Sequence, residues 1–163
     1  MEGSKRAGRD PSAGPPRLWT VPEANARLPG LQELLPRLRG WVGRLVQVQE
    51  EQERLSAFWG TETGAKDQPD HDLTDRLDAE SKRLTHGIEE AVEALRAEGI
   101  EVKDLGTGLV DFYSMEGGEL VLLCWQRGEP EVAYYHPLTG GYRSRRPISE
   151  LNRAAPARAS RPL

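Results

Sequence analysis

The sequence has little cysteine, few aromatic residues and no long apolar run. Cys124 is its one cysteine, which excludes an internal disulfide framework and a zinc site built from several thiolates of one chain. No stretch approaches the ~20 apolar residues that span a bilayer, and the first 17 residues lack the apolar segment of a signal peptide. Because 37% of the residues are hydrophobic and 29% are charged, we expect a soluble cytoplasmic protein with one modest core.

The net charge of -4 is unevenly distributed along the chain. Residues 21–142 hold 12 basic and 23 acidic side chains, whereas residues 143–163 hold six arginines and one acidic side chain. Both ends are rich in proline, glycine or alanine and have no apolar periodicity, which predicts disorder over residues 1–17 and a disordered basic tail over residues 149–163. We therefore expect a single domain over residues 18–148.

A helix start signal stands at Thr20, because Glu23 three residues later completes a capping box. Apolar residues then recur at intervals of three and four, which predicts an amphipathic helix. Because a proline inside a helix removes a backbone hydrogen bond, we expect a short helix over residues 21–28, a kink or restart at Pro29, and a long helix over residues 30–59.

A second helix is predicted over residues 72–98, with Gly99 as its C-terminal cap. Its apolar positions are spaced alternately by four and three residues, which is the register of a coiled-coil seam. These positions are Leu77, Ser81, Leu84, Ile88, Ala91 and Leu95. Two long helices joined by a short loop predict an antiparallel helical hairpin over residues 20–99.

Strand patterns follow the hairpin, at residues 110–115, 120–125 and 131–136, and glycine-containing turns separate them. The fold class is thus α+β, a long helical hairpin followed by a small antiparallel sheet of three or four strands over residues 100–148. The middle strand is apolar on both faces, and the hairpin can cover only one of them. We expect dimerisation or the tails to cover the other face.

Three blocks of sequence resemble one known family. They are WTVPEANARLP at residues 19–29, GIEVKDLGTGLVDF at residues 99–112, and LCWQRGEPEVAYYH at residues 123–136. Together, and in this order, they resemble the prokaryotic family called domain of unknown function 2203, over residues 18–148. The resemblance supports the architecture and implies no activity, cofactor or catalytic residue.

Polar residues around the sheet are the best candidates for chemistry. Carboxylates and an imidazole can ligate a divalent ion or transfer protons. The candidates are Asp104, Asp111, Glu129, Glu131 and His136. The other interpretation is that these are turn residues and a strand-end histidine. We expect Cys124 to be a buried, unreactive thiol, and residues 104–108 to connect the second helix to the sheet.

Aromatic and cationic side chains of the same region are candidates for contact with a partner. They are Trp125, Arg127, Tyr134, Tyr135, Tyr142 and Arg143. The first hypothesis is therefore a non-enzymatic assembly protein that binds itself or a protein partner through its helices and sheet. One alternative is a metal-assisted or acid–base enzyme centred on Asp104, Asp111, Glu129 and His136. A second is a nucleic-acid-binding or ribosome-associated protein that uses the basic tail.

Overall fold

The chain folds as two helices followed by a five-stranded antiparallel sheet. This computed structural model describes residues 14–60 and 69–153. The predicted disorder over residues 1–17 and 149–163 falls mostly outside these ranges, although residues 148–153 form a short 3-10 helix. The predicted α+β class is confirmed.

The first helix, α1, spans Val21–Trp59. Its capping box is present: the Thr20 amide donates to Oε2 of Glu23 at 2.9 Å, and the Glu23 amide donates to Oγ1 of Thr20 at 3.4 Å. A capping box of this kind supplies acceptors for two backbone amides that have no partner within the helix. The predicted start of the helix is thus confirmed.

The prediction of a separate short helix over residues 21–28, with a restart at Pro29, is wrong, because α1 continues through Pro29 and Pro36 over 39 residues. Leu28 and Leu31 flank the first proline and are buried in the core, as is Leu35 beside the second. Each buried leucine contributes about 2 kcal/mol of apolar burial. Packing on both sides of each proline therefore offsets the one backbone hydrogen bond that the proline removes.

The second helix, α2, spans His71–Ala97 and runs antiparallel to α1. It ends at Gly99, whose φ of 77° and amide hydrogen bond to the Arg96 carbonyl are typical of a glycine that terminates a helix. Side-chain pairs join the two helices along their length. They are Arg27 with Glu98, Arg44 with Glu80, Gln52 with Asp78, and Trp59 with Asp70.

The five strands pair in the order of the chain, each antiparallel to the next. They are β1 Ile100–Asp104, β2 Leu109–Glu116, β3 Glu119–Gln126, β4 Tyr134–Pro137 and β5 Arg146–Pro147. The sheet exceeds the expected three or four strands because β1 starts directly after Gly99 and because β5 is only two residues long. Two details of the prediction were wrong: residues 104–108 form the β1–β2 turn, and β4 begins at Tyr134, so Glu131 precedes it.

One face of the sheet packs on the base of the helical hairpin and forms the core. Trp19 joins these layers: its Nε1 donates to the Glu98 carbonyl at 2.7 Å, and its ring meets Phe112 edge-on at 5.4 Å between centroids. Its backbone amide donates to the carbonyl of Tyr113 at 2.7 Å, and its carbonyl accepts from Oγ of Ser114 at 2.6 Å. The segment before α1 is therefore fixed to both α2 and β2.

The distal part of the hairpin lies beyond this core. Residues 38–59 of α1 and 71–91 of α2, here called the helical arm, contribute no side chain to the core cluster. Among these residues, all of which the structure describes, Leu38, Val48, Thr74 and Leu77 are buried. Neither described helix has a stretch long and apolar enough to cross a membrane.

Candidate functional site

The registers of three strands bring a carboxylate, a thiol and an imidazole to one place. Asp111 of β2 lies opposite Cys124 of β3, and His136 of β4 lies opposite Leu122, two residues from Cys124. Because alternate residues of a strand share a face, all three side chains lie on the face opposite to Phe112 and the helices. We call this side the outer face of the sheet.

The three side chains form a buried cluster. Nε2 of His136 lies 3.1 Å from Oδ2 of Asp111, and one ligand atom of each residue lies within 4.8 Å of the other two. None of the three residues is more than 1% exposed. Imidazole nitrogen, carboxylate oxygen and thiolate sulfur are the three donor types that zinc accepts.

The chemistry of Cys124 is set by these surroundings. Burial raises the pKa of its thiol to about 12, and the negative charge of Asp111 adds to that shift. The thiolate is the nucleophilic form of cysteine, so the thiol is unreactive as long as no cation replaces its proton. The expectation of a buried cysteine is confirmed.

Arg145 lies next to Cys124 of the cluster. Its Nη2 donates to both carboxylate oxygens of Glu129 at 2.7 Å and to the backbone carbonyl of Cys124 at 3.3 Å. Its guanidinium carbon lies 4.1 Å from the ring centroid of Tyr134 and 4.7 Å from that of Tyr142. Burial disfavours the charged form of Arg145, but the hydrogen bonds and charge of Glu129 raise its pKa above the ordinary value.

A second ionic group stands on β1 beside the cluster. Glu101 lies opposite Asp111 in the β1–β2 register. Its carboxylate accepts hydrogen bonds from Oη of Tyr113 at 2.5 Å and from Nζ of Lys103 at 2.6 Å. Burial acts to raise the pKa of Glu101, but these two hydrogen bonds, together with the positive charges of Lys103 and Arg96, lower the pKa below its usual range.

Of the residues proposed for chemistry, the structure brings Asp111 and His136 into contact and places the other three elsewhere. The carboxylate of Asp104 accepts hydrogen bonds from the amides of Gly106 and Thr107, so it stabilises the β1–β2 turn. Glu129 is paired with Arg145. Glu131 is exposed in the segment before β4.

The aromatic residues proposed for partner contact are divided between the core and the outer face. Trp125 is fully buried, and its Nε1 donates to the Glu129 carbonyl at 3.0 Å. Tyr135 packs against the core, whereas Tyr134 and Tyr142 flank the guanidinium of Arg145. Arg127 and Arg143 are exposed. The six residues therefore do not form one continuous surface.

Two members of the site were not among the residues proposed for chemistry. Cys124 was interpreted as inert because a single sequence does not reveal that Asp111 lies opposite it. A usable signal was present, since Asp111 stands between Val110 and Phe112 inside an apolar strand, where an unpaired charge is rare. Arg145 was counted only as one of the basic residues near the C-terminus, and no local pattern distinguishes it from Arg143.

These features define the class of the protein: an α+β protein in which a helical hairpin covers one face of an antiparallel sheet and a buried polar cluster occupies the other. The family model described as "Uncharacterized conserved protein (DUF2203)" matches residues 17–148. The chain belongs to this family. No match was found among curated proteins or solved structures.

Proposed function

We propose that this protein is a cytoplasmic assembly protein, and that its partner along the helical arm is a second copy of the same chain. The observation that carries this proposal is the incomplete burial of the arm's apolar residues. Eight of the large ones, in the middle of the two helices and towards the tip, are only half-buried. They are Trp41, Val42, Leu45, Leu55, Trp59, Leu73, Leu84 and Ile88.

One row of side chains on α1 illustrates the point. Leu38, Val42 and Val46 follow one another at intervals of four, so they lie along the same side of the helix. Leu38 is fully buried, Val42 is half-buried, and Val46 is 47% exposed. At the tip of the arm Phe58 is 77% exposed. An apolar row that emerges into solvent is typical of a surface that a further helix covers.

A second arm has the shape that this surface requires. Two antiparallel helices form one layer, and two such layers packed face to face make a four-helix bundle. Closed two-fold symmetry is the commonest arrangement of homo-oligomers, and it places each contact in the interface twice. Self-association therefore covers both arms without any additional chain.

The distribution of charge favours an antiparallel arrangement of the two arms. Residues 34–49 and 79–91, near the sheet, contain five basic and three acidic side chains. Residues 50–59 and 70–78, near the tip, contain seven acidic side chains and two arginines. When the arms are antiparallel, the basic part of each faces the acidic tip of the other, which lowers the energy of the complex.

The test is sedimentation equilibrium of the full chain over a wide concentration range. We expect a dimer that Val46→Glu weakens at least about tenfold, because the buried charge enters the two-fold interface twice. Leu138→Glu is the matched control, since Leu138 is also 47% exposed but lies after β4, outside the arm. A wild-type chain that is monomeric throughout, or equal effects of the two variants, would overturn the proposal.

A further inference from the structure

The contact between His136 and Asp111 requires a cation between the two facing atoms. Nδ1 of His136 lies 2.8 Å from the carbonyl oxygen of Pro137. Because a carbonyl only accepts hydrogen bonds, this contact requires the ring hydrogen to be on Nδ1. The neutral ring then presents the lone pair of Nε2 to Oδ2 of Asp111, 3.1 Å away. Two acceptors at this distance need a cation, either a proton or a metal ion.

A proton accounts for only part of the cluster. It satisfies Nε2 of His136 and Oδ2 of Asp111, but Oδ1 of Asp111 is buried and has no hydrogen-bond partner among the described residues. An unpaired buried carboxylate oxygen is destabilising. The Cys124 sulfur is also within 4.8 Å of both partners, so a third ligand type lies beside the same two atoms.

We infer that Asp111, Cys124 and His136 bind one divalent transition-metal ion per chain, of the class that zinc represents. Two ligands of one tetrahedral zinc ion, each about 2.1 Å from it, stand roughly 3.4 Å apart, which is close to the 3.1 Å separation of Nε2 and Oδ2. Thiolate and imidazole ligands select such ions over magnesium and calcium. The hydrogen bond from Nδ1 to a backbone carbonyl is the usual contact that orients a histidine ligand.

Binding at this site is an exchange of ions without oxidation or reduction. The metal replaces the proton of the Cys124 thiol and any proton held between Asp111 and His136, and these protons leave to solvent. The bound ion would join β2, β3 and β4, which supply one ligand each. The site lies on the sheet, away from the arm, so it stands independently of the proposed self-association.

Cobalt(II) is the probe that distinguishes this site from adventitious binding. Cys124 is the only cysteine of the chain, so a thiolate-to-cobalt charge-transfer band can arise from no other residue. We expect titration of the chelator-treated full chain with Co²⁺ to give this band, saturating at one ion per chain, and added Zn²⁺ to abolish it. Saturation at one ion per two chains would instead indicate a bridge between copies and would overturn the inference.

Two histidine–carboxylate pairs on α2 provide the control. His71 with Asp75 and His86 with Glu90 are spaced by one helical turn, so they can bind metal weakly. The double variant His71→Ala/His86→Ala should keep the band, whereas Asp111→Asn and His136→Gln should weaken Co²⁺ binding at least about tenfold. Circular dichroism checks the folding of each variant. Absence of the band in the folded wild-type chain, or its loss in the double variant, would overturn the inference without reference to the other variants.

Discussion

Removal of one hydrogen-bond donor at Trp19 should destabilise the whole domain. Trp19→Phe keeps an aromatic ring against Phe112 but deletes the Nε1–H that donates to the Glu98 carbonyl at 2.7 Å. A partly buried carbonyl left without its donor costs about 1–3 kcal/mol, and the smaller ring leaves a cavity worth about 1 kcal/mol. We expect the free energy of unfolding to fall by about 2–4 kcal/mol, and Tm by roughly 5–15 °C.

Trp59→Phe is the matched control for this prediction. The Nε1 of Trp59 also donates a hydrogen bond, at 3.0 Å to Oδ2 of Asp70, but it does so at the solvated tip of the arm. Its loss should cost less than about 1 kcal/mol. Urea denaturation followed by far-ultraviolet circular dichroism measures both variants. If the two substitutions cost the same within about 0.5 kcal/mol, Trp19 does not join the layers as argued.

Two further predictions concern backbone conformation and charge. Gly99→Ala should destabilise the domain by more than about 1 kcal/mol, because φ is 77° and a Cβ there would collide with the Arg17 carbonyl. Gly43→Ala, at a position in α1 where a Cβ meets no other atom, should stabilise the domain by up to about 1 kcal/mol. Thermal denaturation of both variants measures the difference. Since hydrogen bonds hold the pKa of Glu101 below its usual range, its charge stabilises the fold above about pH 4.3 and ceases to do so as the pH falls through the lowered pKa. In urea titrations the advantage of wild type over Glu101→Gln, less than about 1 kcal/mol at this partly exposed site, should thus be larger at pH 7 than at pH 3. An equal advantage at both would contradict the assignment.

Local signals predicted the ends of the helices well. The capping box at Thr20 and Glu23, and the glycine at residue 99, depend on neighbours within three or four residues, and both are where the pattern placed them. The restart of the helix expected at Pro29 does not occur, for the opposite reason. Whether a proline interrupts a helix depends on the burial of its flanking residues, and the packing of Leu28 and Leu31 against a distant sheet is not visible in the local pattern.

The candidate site required information of longer range. Asp111 and His136 are 25 residues apart, and their contact depends on the register of two successive strand pairs. A shift of one residue in either pair would turn a side chain to the other face. The expected strand over residues 131–136 starts three residues before β4, so it describes His136 correctly as a strand residue but misplaces Glu131 beside it.

The burial of both faces of β3 indicates which surface of the chain remains for association. Its alternate residues Leu123 and Trp125 face the helices, and Leu122 and Cys124 face outward, yet all four are buried. The sequence alone suggested that dimerisation or the tails would have to bury the outward side. In the structure both outward residues are already buried within the single chain, and Arg145 donates a hydrogen bond to the Cys124 carbonyl beside them. Because the sheet therefore does not need a partner, the half-buried apolar residues of the helical arm are the surface on which the case for association depends.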